Sequence, residues 1–168
     1  LQSQYYKIKN EVDNAVLKVM DSAAFINGPE VKSFQTELES YLDVKHVIPC
    51  ANGTDALQIA LMALDLKEGD EIITADFTFA ATVEVIHLLK LKSVLVDVDY
   101  DTYNISPEAI RKAITPKTKA IIPVHIFGQP ANMEEILKIA EENNLYVIDA
   151  AAQALRADNT ISDGITKK

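Results

Sequence analysis

Three junctions between apolar runs and helical patterns carry the side chains able to do chemistry. The stretch ANGTDAL (51–57) sets Gly53, Thr54 and Asp55 where a strand-like run turns into a helical one. Free backbone N–H groups and the positive end of the helix macrodipole face outward at such a start, which suits a phosphate. Thr54 or Asp55 would equally serve as a plain helix cap. The stretch DFTFAAT (76–82) puts Phe79 at a second junction, where its ring could lie over a planar ligand or pack into the core. The third, NLYVIDAAAQAL (144–155), is an apolar run that ends in Asp149, followed by three alanines and Gln153. In open parallel sheets such carboxyl ends of strands form the lip of the binding crevice. His125, ahead of Phe127-Gly128-Gln129-Pro130, fits a hydrogen-bonded core histidine better than a catalyst, and His46 and His87 have weaker claims. No set of histidines and cysteines has metal-ligand spacing, so no metal is expected. No Gly-Lys-Ser/Thr follows Gly53 and no Gly-x-Gly-x-x-Gly occurs, which counts against a Walker loop and a dinucleotide fold.

The elements that must position these residues alternate between two periods. HVIPCA (46–51), EIITA (71–75), SVLVDVD (93–99), KAIIPVHIF (119–127) and LYVID (145–149) read as strands. Between them GTDALQIALMAL (53–64), FAATVEVIHLLK (79–90), SPEAIRKAI (106–114) and NMEEILKIAEENN (132–144) read as helices. Ser106 is the expected N-cap ahead of Pro107, Asn132 and Glu135 stand at capping-box spacing, and Gly69-Asp70 marks a turn. Strands apolar on both faces and alternating with helices predict a three-layer α/β domain around a mostly parallel sheet. Ahead of it, Ile8, Val12, Ala15, Val16 and Val19 fall at helical spacing, and a second helix starts at Gly28-Pro29 with Val31, Phe34, Leu38 and Leu42 as its stripe. The expected division is 1–44, the leading helices, and 45–168, an incomplete α/β domain. After Leu155 the chain turns polar, RADNTISDGITKK, without a closing element, and this predicts a piece of a longer protein.

The chain has 168 residues, 48% of them hydrophobic, which fits a globular domain with a substantial core. No apolar run approaches the roughly 20 residues that span a bilayer, and no charged-then-apolar leader is visible, so a cytoplasmic protein without a membrane partner is expected. A formal net charge of −9 argues against nucleic acid, whose binders cluster Lys and Arg to displace counterions. The single cysteine, Cys50, permits no internal disulfide and is expected to be a small buried thiol at a strand end.

Taken together, FINGPEV, ANGTDALQIALMAL, DFTFAAT, VDVDYDTYNI, AITPKTKAIIPVHIFGQPANM and LYVIDAAAQA resemble, in order and spacing, the N-terminal half of the DegT/StrS family of pyridoxal-phosphate-dependent sugar aminotransferases. The resemblance covers nearly the whole chain. It implies a truncated type I aminotransferase large domain, a homodimer, and transfer of an amino group from a donor such as glutamate to a nucleotide-linked keto sugar. A sugar dehydratase of the same family, with histidine in place of the catalytic lysine, is one alternative; a non-catalytic binding module is another. Carried over, the resemblance implies that Gly53, Thr54 and Asp55 hold the cofactor phosphate, that Phe79 stacks on the pyridine ring and that Gln153 approaches its 3-hydroxyl.

Two features depart from the family pattern. Members usually read Glu-Asp-x-Ala-Gln-Ala here, and the second acid pairs with the pyridinium nitrogen; aligned on Ala152-Gln153-Ala154, that position is Ala150, with Asp149 one place earlier. Successive strand residues point to opposite faces, so Asp149 is expected to aim away unless a bulge rescues it. Arg156 stands where glycine is common. The family's Schiff-base lysine lies beyond this stretch, and Lys167-Lys168 lack its surroundings, so the chain alone is expected to have little or no activity.

Overall fold

The computed structural model describes residues 1–155, Ala157 and the backbone of 165–166. The chain forms two compact units, Leu1–Pro49 and Cys50–Lys168. Arg156, Lys167 and Lys168 lie outside the described residues.

The first unit carries α1 (Gln2–Ser22) and α2 (Pro29–Leu42). Pro29 takes the first helical position, where its missing N–H costs nothing, and Gly28 caps it in an extended conformation. Gly28 is required sterically, since a Cβ there would stand 2.4 Å from the Ala24 carbonyl oxygen. Ala23 and Asp43, both left-handed, end the two helices. Beyond α2, the Val47 N–H donates to Glu39 Oε1 at 3.0 Å and ties the departing chain back to the helix. Along α1, Asp13 accepts from Tyr5 Oη at 2.6 Å and pairs with Lys9.

The run 46–51 does not become a strand. A strand exists only through a neighbour, and no described residue pairs with it, so Ile48 is 74% exposed. Cys50, expected to be buried, is exposed for the same reason, and its thiol donates at 3.4 Å to the carbonyl of Asn52.

The second unit follows the alternation: α3 (Gly53–Met62), β1 (Glu71–Ala75), α4 (Ala80–Leu88), β2 (Lys92–Val96), α5 (Pro107–Ala113), β3 (Thr118–Ile122), α6 (Met133–Asn143), β4 (Tyr146–Ile148) and β5 (Ile165–Thr166). The sheet order is β2-β1-β3-β4-β5. The first four strands are mutually parallel, and β5 runs antiparallel to β4, so the polar tail does contribute an edge strand. Ile73 stands beside Val94 on one side and Ile121 on the other, and Ile121 beside Val147.

Alternation along the strands sorts the core into two layers. Ile73, Ile121 and Val147 pack with Ile110 of α5 and with Met133, Ile136 and Ile139 of α6. Ile72, Ala120, Ile122 and Ile148 face the other way, toward Leu61 of α3 and Val85 and Ile86 of α4. Both faces are covered, as the apolar runs predict.

Three strands are shorter than their apolar runs. β3 stops at Ile122 because Pro123 has no N–H for the ladder, leaving Val124 with an isolated bridge to Ala150. β2 stops at Val96, where Asp97 Oδ1 takes the Val98 N–H at 2.8 Å and Asp99 Oδ1 takes those of Asp101 and Thr102. β4 spans only Tyr146–Ile148. Ser106 and Asn132 cap α5 and α6 by accepting from the N–H three residues on. The return half of the expected capping box is absent: Glu135 Oε1 accepts instead from Arg111 at 2.7 Å, joining α6 to α5.

Candidate functional site

Helices joined by short turns to parallel strands run antiparallel to them, so α3 and α4 both begin at the carboxyl edge of the sheet. That places ANGTD, DFTF and DAAAQ at one edge. Ala150 packs with the layer beside α3 and α4, as do Ile148 and Val124.

At the start of α3 the cap is Asn52, which the sequence motif did not single out. Asn52 Oδ1 accepts the Asp55 N–H at 2.9 Å, and Asn52 Nδ2 donates to Asp55 Oδ2 at 3.1 Å. The Asn52 carbonyl accepts the first intrahelical bond, from Ala56. Thr54 is therefore freed from capping, and the N–H groups of Gly53 and Thr54 have no protein partner among the described residues. Asp55 offers no free donor, because its N–H and carboxylate both turn toward Asn52. Two amides and a hydroxyl at the positive end of a helix form a donor set for a phosphate.

Phe79 occupies the N-cap position of α4 and is 62% exposed, so it is not a core residue. Beside it, the Thr78 hydroxyl is buried without a hydrogen-bond partner. Its only sequence signal is a polar residue between two aromatics. Phe77, from the same connection, meets Tyr103 at 5.6 Å and Phe127 at 6.1 Å between ring centroids, a cluster contributed by three strand-end loops.

The end of β4 resolves the question of the lone carboxylate. Ile148 and Ala150, on either side of Asp149, pack toward α3 and α4, and the bridge from Val124 to Ala150 keeps the register of β3 with β4, so alternation turns Asp149 toward α5 and α6. Its side chain is 7% exposed, and its Oδ1 stands 2.6 Å from Nε2 of His125, out of line with the ring N–H and so without an aligned hydrogen bond. His125, 2% exposed, accepts the Ala131 N–H at Nδ1 over 3.0 Å. A backbone amide can only donate, so Nδ1 holds a lone pair and the ring proton sits on Nε2, the nitrogen that stands beside the carboxylate. This is the core role expected for His125. Gln153 is exposed, and its carbonyl lies where a Cβ on Gly128, at φ +81°, would approach to 2.9 Å.

A phosphorylated, aromatic cofactor meets a partial match in these residues. The donor pair at Gly53 and Thr54 fits its phosphate, and the open Phe79 ring fits its ring face. At position 150, where the family resemblance puts the acid for its ring nitrogen, the chain has alanine, and Asp149 stands against His125 instead. Among the described residues no cluster of metal-binding side chains occurs, and no helix is long and apolar enough to cross a membrane.

The layered sheet and its strand-end crevice define a type I aminotransferase-like α/β domain. The chain belongs to the DegT/DnrJ/EryC1/StrS aminotransferase family, whose sequence model matches residues 6–160. It is similar to the UDP-2-acetamido-2-deoxy-3-oxo-D-glucuronate aminotransferase of Pseudomonas aeruginosa, 45% identical over 157 residues that cover 94% of this chain and 44% of that protein. Among solved structures it is similar to S. venezuelae DesV, with a TM-score of 0.88 and 34% identity over 92% of this chain and 42% of that one. It is likewise similar to ntda from Bacillus subtilis with bound cofactor PMP, with a TM-score of 0.86 and 36% identity over 89% of this chain and 34% of that one. The chain thus spans about two-fifths of the curated relatives it matches.

Proposed function

We propose that this chain is the cofactor-binding part of a pyridoxal-phosphate-dependent aminotransferase acting on a nucleotide-linked keto sugar, with an amino acid such as glutamate as donor. The observation that carries the reading is the pair of unpartnered N–H groups at Gly53 and Thr54, at the same sheet edge as the exposed ring of Phe79. In this reading Gly53 and Thr54 hold the phosphate, with the Thr54 hydroxyl as a third donor. Asp55 keeps the first turn of α3 in shape through Asn52 rather than touching the phosphate. Phe79 covers the ring and excludes water from one face, and Gln153 donates to the 3-hydroxyl. Pyridoxal phosphate, when bound, supplies an electron sink for breaking the bond to an amino-acid α-proton. The similarity to the Pseudomonas aminotransferase, whose name specifies a UDP-linked 3-oxo sugar, supports the substrate class. A cytoplasmic homodimer is the working assembly of this reading.

A non-catalytic binding role is favoured by one observation: Ala150 leaves the ring nitrogen without an acid. A buried carboxylate at that place would hold the nitrogen protonated, and alanine cannot.

The test is a titration of pyridoxal phosphate with this chain, followed by the phosphorus NMR resonance of the cofactor. Saturable binding that weakens about tenfold in Phe79→Ala is expected, since an aromatic contact of roughly 1–1.5 kcal/mol is lost together with its buried area. A resonance that does not move at any protein concentration would refute the proposal.

A further inference from the structure

The loop from His125 to Ala131 grips the segment that follows β4 at three separate points. The backbone at its start continues the sheet: the His125 N–H donates to the Ala150 carbonyl at 3.2 Å, and just ahead of the loop the Pro123 carbonyl accepts the Ala150 N–H at 3.0 Å. Its imidazole meets the Asp149 carboxylate at 2.6 Å, with both side chains under a tenth exposed. Its turn glycine, Gly128, passes so close to the Gln153 carbonyl that no side chain fits between them. The Gly128 N–H donates back to the His125 carbonyl at 3.0 Å, and the Ala131 N–H fixes His125 Nδ1, so the loop is braced from both ends.

From these contacts the geometry points to His125 as a positioning residue of the cofactor site. By holding Asp149 on the face of α5 and α6, His125 fixes the pleat at the end of β4. With that pleat fixed, residue 150 must point to the α3 and α4 face, and Gln153 follows at a set distance along the chain. His125 touches neither cofactor nor substrate; it acts through Asp149. The inference rests on the proposed cofactor site, and it explains why a carboxylate one position too early is kept buried although it is turned away from the crevice. A buried acid with no polar neighbour would be costly, and Nε2 of His125, 2.6 Å from Asp149 Oδ1, is the polar neighbour the fold sets beside it.

The experiment separates the clamp from the site it serves. Nitrogen NMR of the imidazole in the unaltered chain should show Nε2 protonated and Nδ1 bare; a proton on Nδ1 would overturn the clamp whatever the cofactor does. His125→Asn keeps an acceptor near the Nδ1 position but no longer reaches Asp149, and it should weaken pyridoxal phosphate binding about tenfold, the scale for losing one interaction with a charged group. His125→Gln, whose amide reaches the Nε2 position, should recover most of that loss. The decisive arm is coupling: Ala150→Asp should raise cofactor affinity when His125 is intact and lose that gain when it is combined with His125→Asn in the double variant. Equal gains in both backgrounds would show that His125 does not aim position 150, leaving the cofactor proposal standing. An unaltered chain that takes up no pyridoxal phosphate would overturn the cofactor proposal and this inference with it, whereas the imidazole spectrum would still report the clamp on its own.

Discussion

Ala150→Asp is the sharpest perturbation the structure offers, because it changes one side chain on a backbone already aimed at the crevice. Ala150 is half-buried against the layer of Ile148 and Val124, on the side of α3 and α4. In the proposed reading, a carboxylate there restores the acid that the family resemblance pairs with the cofactor's ring nitrogen. A charge-assisted contact of this kind is worth about 1.5–3 kcal/mol. At about 1.4 kcal/mol per tenfold, affinity for pyridoxal phosphate should rise roughly 10- to 100-fold. The gain is offset in the empty protein, where a partly buried acid without a partner destabilises by about 1–3 kcal/mol, so the melting temperature should fall without cofactor and recover with it. Ala150→Asn, of the same shape without the charge, should gain only about 3- to 10-fold, since neutral contacts are worth roughly half as much. Phosphorus NMR titrations and thermal melts of the three proteins decide the matter. Affinity that stays flat in Ala150→Asp, or rises equally in Ala150→Asn, would refute the proposal that a charge at this pleat serves the cofactor.

The remaining predictions concern the frame. Ile121→Ala removes a fully buried side chain at the centre of β3 and should cost about 2–5 kcal/mol in chemical denaturation, against about 1 for Ile121→Val. Gly128→Ala forces a side chain into a left-handed backbone and against the Gln153 carbonyl; a loss of about 2 kcal/mol is expected, and a loss under about 0.5 would mean that the two loops are not in contact. Glu71 is buried at the foot of β1, where the Thr115 hydroxyl, donating at 2.5 Å, and then Lys92 at 2.9 Å hold its pKa below the ordinary 4.5. A depressed carboxylate stabilises the fold fully above its unfolded value and loses that contribution as pH falls through the folded one. Stability should therefore drop more steeply below about pH 4.5 than it does in Glu71→Gln, and identical acid-unfolding curves would contradict this.

Local rules made the frame legible and long-range choices did not. Pro29, Ser106, Asn132 and Gly69 act where their backbone preferences place them, because a cap or a turn is decided within four residues. The strand ends were harder. Apolar runs continue through Pro123 and Asp97, yet a ladder also needs N–H groups; proline has none, and the Asp97 and Asp99 carboxylates take those of Val98, Asp101 and Thr102. In ANGTD three neighbouring residues are able to cap, and composition does not say which oxygen reaches the third N–H; the fold selects Asn52. The His125–Asp149 contact joins residues 24 positions apart and leaves no trace in either local pattern. Residues 46–51 have strand composition without a strand, since pairing depends on a neighbour that their own sequence does not encode.

Pleat parity ties these observations to function. In a helix, a displacement of one residue rotates a side chain by about 100°, and a long side chain compensates for part of that. In a strand it moves the side chain through the sheet to the other layer, and no rotamer brings it back. Asp149 therefore does not serve as a weak version of an acid at 150; it belongs to a different core, with a different neighbour. Once there, it contributes to the site in the way that face allows, by anchoring the strand end against His125. In the proposed reading, the single exchange at 149–150 has two separable consequences: the acid expected for the ring nitrogen is missing on one side of the sheet, and the strand end is anchored on the other. If the proposed site takes pyridoxal phosphate, it should hold the phosphate and ring in place and leave the ring nitrogen unprotonated.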